Sequence, residues 1–150
     1  MTFQTSRLHI SPELTKYLKS LLEEPYNKYC IDCKINISTH AIVFYGIFVC
    51  HECMLKIKNT YGVENTYPKK VIGEYWDDYQ LLCMAKGIGG NLELYQLLQE
   101  YELEDKDFRE KYDSKIFKWY RKRRQCLMDR IPFVDEKPPK NWGEWKEKKK

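Results

Sequence analysis

Apolar residues recur at helical spacing in several parts of the chain and predict most of its helices. Ser11, Pro12 and Glu13 have the residue types that begin a helix: a side-chain cap, a proline at the first helical position and an early acid. We expect this helix to end near Glu24, because Pro25 disfavours helical backbone in the residue before it. Further apolar stripes predict helices over residues 52–59, 77–86, 92–101 (with Asn91 as its cap) and 108–128.

One apolar stretch lacks helical spacing. Residues 40–49 are rich in β-branched and aromatic side chains, and Gly46 lies among them. This composition predicts two short strands or a strand and a turn. We expect another short strand over residues 69–73. Short strands among several helices favour an α+β fold.

Length and charge narrow the class of protein. The 150 residues suit one domain with an extension, and no run of about 18 apolar residues predicts a membrane span. Residues 109–150 contain fifteen Lys or Arg against seven Asp or Glu, a net +8, so the rest carries −4 of the total +4. The basic end could meet acidic lipid, nucleic acid or an acidic protein, or could be a solvated helix face with a frayed tail.

Four of the six cysteines form two CxxC pairs. Cys30 and Cys33 are followed, after sixteen residues, by Cys50 and Cys53. This spacing is typical of four thiolates around one tetrahedral Zn²⁺. Two disulfides would need an oxidising compartment, and a redox CxxC normally stands alone beside a βαβ pattern. His51 could compete as a ligand, but four cysteines already fill a closed site.

Residues 12–128 resemble the GTPase-activating domain for Arf small G proteins (ArfGAP), in its Golgi coat-associated form. The resemblance rests on the C-x2-C-x16-C-x2-C spacing and on four further segments: Tyr45-Gly46-Ile47-Phe48-Val49-Cys50, Trp76, Met84 with Gly90-Asn91, and Glu110-Lys111-Tyr112-Asp113-Ser114. It implies a zinc finger joined to a small sheet among helices, and an Arf-type GTPase as partner. It divides the chain into an extension (1–11), an ArfGAP-like domain (12–128) and a basic Pro/Trp/Lys-rich tail (129–150).

The residues after the finger depart from the family pattern. The family has C-x-x-C-S-G-x-H-R, and its catalytic arginine lies five residues past the last cysteine. Here Met54 and Leu55 replace Ser-Gly, Ile57 replaces the histidine and Lys58 replaces the arginine. A lysine lacks the planar fork of an arginine. We therefore expect a chain that is catalytically silent and not an enzyme.

The hypothesis from the sequence is a zinc-stabilised scaffold that acts as a structural subunit of a larger protein assembly. An apolar patch of Met54 and Leu55, beside Lys58, suits a protein interface, and Trp142 and Trp145 would anchor the tail. The resemblance implies a cytoplasmic location at the Golgi surface, whereas membership of an assembly would also allow an organelle such as the mitochondrion.

Three alternatives remain beside the scaffold. The first is an active GTPase-activating protein that uses Lys58. The second is a nucleic-acid-binding zinc module that uses Arg121-Lys122-Arg123-Arg124 and the lysine tail, although few aromatic residues alternate with the basic ones. The third, a zinc enzyme, needs an open coordination position, and four cysteines leave none.

Overall fold

The computed structural model describes residues 11–140 and has an α+β architecture. In that range the helices are α1 Pro12–Glu23, α2 Pro25–Lys28, α3 His51–Tyr61, α4 Val63–Thr66, α5 Asp78–Met84, α6 Asn91–Glu100, α7 Phe108–Tyr112 and α8 Lys115–Asp129. The strands are β1 His40–Ile42, β2 Ile47–Val49 and β3 Pro68–Lys70. The chain divides into two compact units, with the boundary between Asn91 and Leu92.

The first unit is built on a three-stranded antiparallel sheet with the order β2-β1-β3. On the central strand, Ala41 lies opposite Phe48 of β2 and opposite Lys69 of β3. Ala41 and Ile42 of β1 and all three residues of β2 are almost fully buried, which explains why most of residues 40–49 are apolar without alternation. The predicted strand pair is confirmed, and β3 overlaps the first part of the predicted 69–73 strand.

Gly46 makes the tight connection between β1 and β2. Its φ of 70° lies in the left-handed region that favours glycine. Its amide donates to the carbonyl oxygen of Ile42 at 2.8 Å, and its own carbonyl accepts from the amide of Gly90 at 2.8 Å. The bend predicted at Gly46 therefore also fixes the loop that precedes α6.

Local signals locate the ends of α1 and α3. Ser11 caps α1 by accepting a hydrogen bond from the amide of Leu14 at 3.0 Å, and the helix ends at Glu23, before Pro25. Gly62 ends α3 with a φ of 92°. These boundaries confirm the sequence-based ones to within about two residues. The two one-turn helices α2 and α4 were not predicted.

The second unit contains α7 and α8, which we expected to be one helix over residues 108–128. That prediction is wrong because Ser114 begins a new helix. The Ser114 hydroxyl accepts from the amide of Phe117 at 3.1 Å and donates to the carbonyl oxygen of Lys111 at 2.7 Å. The aromatic stripe packs as a core, with the rings of Tyr112 and Phe117 edge to face at 5.0 Å.

Among the helices of residues 11–140, none combines the length and the apolar character needed to cross a membrane.

Candidate functional site

The four predicted zinc ligands lie together. The Sγ atoms of Cys30, Cys33, Cys50 and Cys53 all lie within 4.8 Å of one another, and those of Cys33 and Cys50 are 3.9 Å apart. Four sulfurs bound tetrahedrally at about 2.3 Å from one ion would be about 3.8 Å apart. The spacing and the all-sulfur donor set therefore fit a closed metal site.

Two local turns position the cysteines. In the first, the amide of Lys34 donates to the carbonyl oxygen of Cys30 at 2.9 Å, and Lys34 has a left-handed φ of 63°. In the second, Cys50 is the N-cap of α3, and its Sγ accepts from the amide of Cys53 at 3.5 Å. The helix N-terminus favours negative charge on this sulfur, because its amide groups point toward it.

Hydrogen bonds also favour thiolates in the cluster. The amide of Asp32 donates to Cys30 Sγ at 3.4 Å, and the amide of Asn36 donates to Cys33 Sγ at 3.5 Å. The pKa of Cys30 is lowered to about 5, mainly because the thiol of Cys53 donates to it, while burial opposes the shift. The pKa of Cys53 is raised for the reciprocal reason, its hydrogen bond with Cys30, and by burial. Without a metal, the pair therefore shares a proton that a bound cation would displace.

The histidine inside the second CxxC pair lies outside the cluster. Within residues 11–140, the group of potential metal ligands contains the four cysteines and no histidine. His51 is exposed, and its ring centroid lies 5.2 Å from that of His40. The pKa of His40 is lowered, first by burial and then by the charges of His51 and Lys70. The two rings therefore form a neighbouring pair beside the cysteines.

Lys58 lies on the helix that begins at the cysteine cluster. It is in the last turn of α3, is half-buried, and its carbonyl oxygen accepts from the amide of Gly62 at 2.8 Å. Across the described part of the chain, the Lys58 ammonium has no hydrogen bond or ion pair. The cluster, α3 and Gly62 therefore fix the backbone from which this cation projects, and leave its charge available.

The apolar residues expected to form an exposed patch are not equally accessible. Met54 is only 6% exposed and Ile57 is fully buried, so both belong to the core. Leu55 is half-buried. Because Met54 faces inward, it cannot contribute to the surface patch that the sequence predicted. Trp142 and Trp145, the predicted tail anchors, lie outside the described residues.

The basic run on α8 does not form one cationic surface. Arg124 is buried, with its guanidinium 5.9 Å from the centroid of the Tyr120 ring. Lys122 pairs with Asp135 at 2.8 Å, and Arg123 lies 3.9 Å from Glu93. These internal partners weaken the argument for a nucleic-acid surface at residues 121–124.

Asn91 is a central residue whose role the sequence analysis missed. Its Oδ1 accepts from the amide of Phe48 at 2.7 Å, and its Nδ2 lies 3.0–3.2 Å from the carbonyl oxygens of Tyr26, Tyr29 and Phe48. Its amide is itself capped by Asn27 Oδ1 at 2.8 Å. The expected capping role of the Asn91 side chain is therefore wrong, because the side chain links β2 to the backbone that leads into Cys30.

The family of the chain follows from its sequence. Residues 15–128 match the family described as "Putative GTPase activating protein for Arf". The chain therefore belongs to the ArfGAP family.

One relative and two solved structures are similar to this chain. ADP-ribosylation factor GTPase-activating protein 3 of Bos taurus is 28% identical over 116 residues, which is 77% of this chain and 22% of that protein. A Cryptosporidium parvum structure titled "putative GTPase activating protein for ADP ribosylation factor" matches 79% of this chain and 94% of its own, at 20% identity and a TM-score of 0.65. The ArfGap domain of HIV-1 Rev binding protein matches 94% and 92%, at 19% identity and a TM-score of 0.53.

These findings correct one expectation. The interpretation of the chain as a non-enzyme is wrong, because the family is described by GTPase activation and the curated relative bears the name of a GTPase-activating protein. The two structural similarities establish the fold. The chain spans about a fifth of the length of its bovine relative.

Proposed function

We propose that this chain is a GTPase-activating domain for an Arf-type small GTPase, and that Lys58 supplies its catalytic charge. The observation that carries the proposal is the placement of Lys58, five residues past the last cysteine of the cluster. In residues 11–140 its ammonium makes no ion pair that would have to break before it could meet a phosphate. The family match over residues 15–128 supports the reaction class.

We propose Zn²⁺ as the ion of the cysteine cluster. Four buried or half-buried thiolates favour a soft or borderline cation, and their number closes the tetrahedral site. The ion would supply structural stabilisation only, because no position is left for water or substrate. Cys50 and Cys53 would hold the N-terminus of α3, and the same helix carries Lys58 in its last turn.

The chemistry requires a cation rather than a base from this chain. Water attacks the γ-phosphorus of GTP while the bond from that phosphorus to the β–γ bridging oxygen breaks. GDP and inorganic phosphate form, and the proton of the water passes to phosphate. Negative charge grows on the phosphoryl oxygens and on the bridging oxygen, where a positioned cation lowers the barrier.

The lysine sets an upper limit on the expected rate. An arginine supplied to a GTPase is worth about 10³–10⁵ in rate. Lys58 presents a compact ammonium without the planar fork, so it cannot contact two oxygens in the same fixed geometry. We therefore expect stimulation that is clear but smaller than an arginine would give.

A single-turnover assay tests the proposal. An Arf-type GTPase loaded with GTP is mixed with excess zinc-loaded protein, and phosphate release is followed. We expect Lys58→Ala to remove the stimulation, whereas Lys56→Ala, on the exposed side of the same helix, retains it. Equal stimulation by wild type and Lys58→Ala would contradict the assignment of Lys58.

Two finer interpretations from the sequence stay predictions. Membership of the Golgi coat-associated subtype is supported by the segment from Glu110 to Ser114, where Ser114 is the cap of α8. Association with a larger assembly, through Leu55 or the tail, predicts that natively isolated protein elutes with partners in fixed proportion. Elution as a free chain would contradict that association.

A further inference from the structure

Residues 131–140, which follow α8, are extended but lie against their own unit. Arg130 ends α8 in a left-handed conformation, with a φ of 59°, and residues 131–140 form neither helix nor strand. The amide of Ile131 donates back to the carbonyl oxygen of Cys126 at 3.0 Å, which fixes the point where this extended segment (residues 131–140) leaves the helix.

Aromatic side chains hold the backbone of the extended segment. Trp119 Nε1 donates to the carbonyl oxygen of Asp135 at 3.3 Å, and the Tyr101 hydroxyl donates to the carbonyl oxygen of Pro138. The Trp119 ring also packs edge to face on Phe133 at 5.5 Å. The two carbonyl oxygens that accept these hydrogen bonds are three residues apart. Such donors are suited to an extended chain that contains proline, because its carbonyl oxygens make no hydrogen bonds within the chain.

Two ion pairs also connect the extended segment to its unit. Lys122 Nζ lies 2.8 Å from Asp135 Oδ2, and Lys137 Nζ lies 2.6 Å from Glu100 Oε1. The segment supplies the acid in the first pair and the base in the second. The unit therefore favours a segment with an acid followed by a base two residues later. The hydrogen bond and the charge of Asp135 raise the pKa of Lys122.

The burial pattern singles out two anchors. Between residues 131 and 140, Phe133 and Pro138 are half-buried and all the others are exposed, including Val134 at 82%. An extended peptide on a protein surface shows this alternation of anchors and exposed residues. The pattern on the segment is therefore aromatic-x-acid-x-base-Pro.

We propose that Glu100, Tyr101, Trp119 and Lys122 form a docking face for extended, proline-containing peptides of this pattern, and that residues 131–140 are its tethered occupant. The partner is then a flexible protein segment of the same pattern, which binds by displacing the tethered one. This function is independent of GTP hydrolysis, and none of the four residues is near the cysteine cluster in sequence.

Tethering sets the expected affinity. A segment joined directly to α8 has an effective concentration of about 1 mM, and exposed ion pairs add little. A segment docked about 90% of the time then needs an intrinsic Kd of about 0.1 mM. In wild type the tethered copy should weaken binding of an added peptide about tenfold, by competition.

The experiment uses a full-length chain whose residues 131–140 are replaced by ten Gly and Ser residues. A synthetic peptide with the sequence of residues 131–140 is added, and the Trp119 indole signal is followed by NMR after assignment with Trp119→Phe. We expect a Kd of about 0.1 mM for the replaced chain and about tenfold weaker binding to wild type. A Trp119 signal that stays unchanged at several millimolar peptide would overturn the proposal.

A charge reversal makes the test specific. In the replaced chain, Lys122→Glu should weaken binding at least about fivefold, and a peptide carrying Asp135→Lys should restore it. Lys118→Glu is the matched control, because Lys118 is an exposed lysine of α8 whose ammonium has no hydrogen bond or ion pair to the segment in residues 11–140. If Lys118→Glu weakens binding as much as Lys122→Glu does, the attraction is a general charge effect and the proposal fails.

If the replaced chain does not fold, a measurement on the intact chain tests the proposal instead. Chymotrypsin can cut after Phe133 only when the segment leaves the face. We expect Asp135→Lys to speed this cleavage several-fold and Lys122→Glu with Asp135→Lys to return it toward the wild-type rate. Equal cleavage rates in all three chains would overturn the proposal.

Discussion

Replacing Asn91 should destabilise the first unit more than any exposed asparagine does. Its side chain is 1% exposed and bonds both the amide and the carbonyl of Phe48, which is fully buried. In Asn91→Ala the amide of Phe48 loses its partner, whereas the carbonyl keeps the amide of Ile31 at 3.2 Å, so we expect a loss of about 1–3 kcal/mol. That loss lowers the urea midpoint by about 0.5–1.5 M.

A second variant separates hydrogen bonding from cavity formation. Asn91→Asp keeps the shape but turns the Nδ2 donor into an acceptor that faces carbonyl oxygens of Tyr26, Tyr29 and Phe48. We expect it to be at least as destabilising as the alanine, because a buried, poorly paired carboxylate is costly. If shape alone mattered, Asn91→Asp would behave like wild type.

The assay is urea unfolding of zinc-saturated protein, followed by circular dichroism. Asn59→Ala on the exposed side of α3 is the control, and we expect it to change stability by less than about 0.5 kcal/mol. Because the carbonyls of Tyr26 and Tyr29 precede Cys30 closely, loss of Asn91 should also speed zinc release to a chelator. An Asn91→Asp variant within about 1 kcal/mol of wild type would refute this reasoning.

Two further predictions concern a helix cap and the metal. Ser114→Ala removes the cap that bonds the amide of Phe117 and should cost about 1–2 kcal/mol, whereas Ser20→Ala, on an exposed side of α1, should cost less than 0.5 kcal/mol in the same urea assay. In the metal-free chain, folding lowers the pKa of Cys30 from 9.0 to about 5, so the stability from its thiolate is full above pH 9 and is lost as pH falls through about 5. Protons also compete with zinc for the four thiolates, so we expect an indicator dye to detect one zinc per chain released as the pH is lowered from neutral to about 4, and metal retained at pH 4 would contradict this.

Short-range signals were sufficient for much of the fold. Ser11 and Pro12 identify the start of α1 because a helix cap involves neighbouring residues only. The two CxxC pairs identify the cysteine cluster because ligand spacing within each turn is also local. The sheet was predictable because a glycine among β-branched residues marks the bend between β1 and β2.

Features that depend on distant contacts were missed. Asn91 acts on backbone groups 43 or more residues away, so no window around it indicates its role. The apolar stripe across residues 108–128 obscured the cap at Ser114, although Asp-Ser is a recognisable helix start. Met54 was assigned to the surface because Met54-Leu55 replaces Ser-Gly of the family motif, but its position in α3 turns it into the core.

The enzyme assignment shows how a local departure can mislead. Lys58 in place of the family's arginine indicates a catalytically silent chain, since a lysine cannot reproduce the planar guanidinium fork of an arginine. The positive charge itself is retained, at the same distance in sequence from the last cysteine as the family's arginine. A lower rate is the physical consequence that this substitution supports, and the family match agrees with activity rather than its loss.

The central claim is that the ammonium of Lys58 stabilises the negative charge that develops on the phosphoryl oxygens during GTP hydrolysis. It is tested most directly by the single-turnover rates of three zinc-loaded chains: wild type, Lys58→Arg and Lys58→Ala. We predict the order Arg above Lys above Ala, with at least about a tenfold gain for the arginine, because the planar fork restores a second contact to the phosphoryl oxygens. Equal rates in all three chains, with zinc content and folding unchanged, would contradict the account.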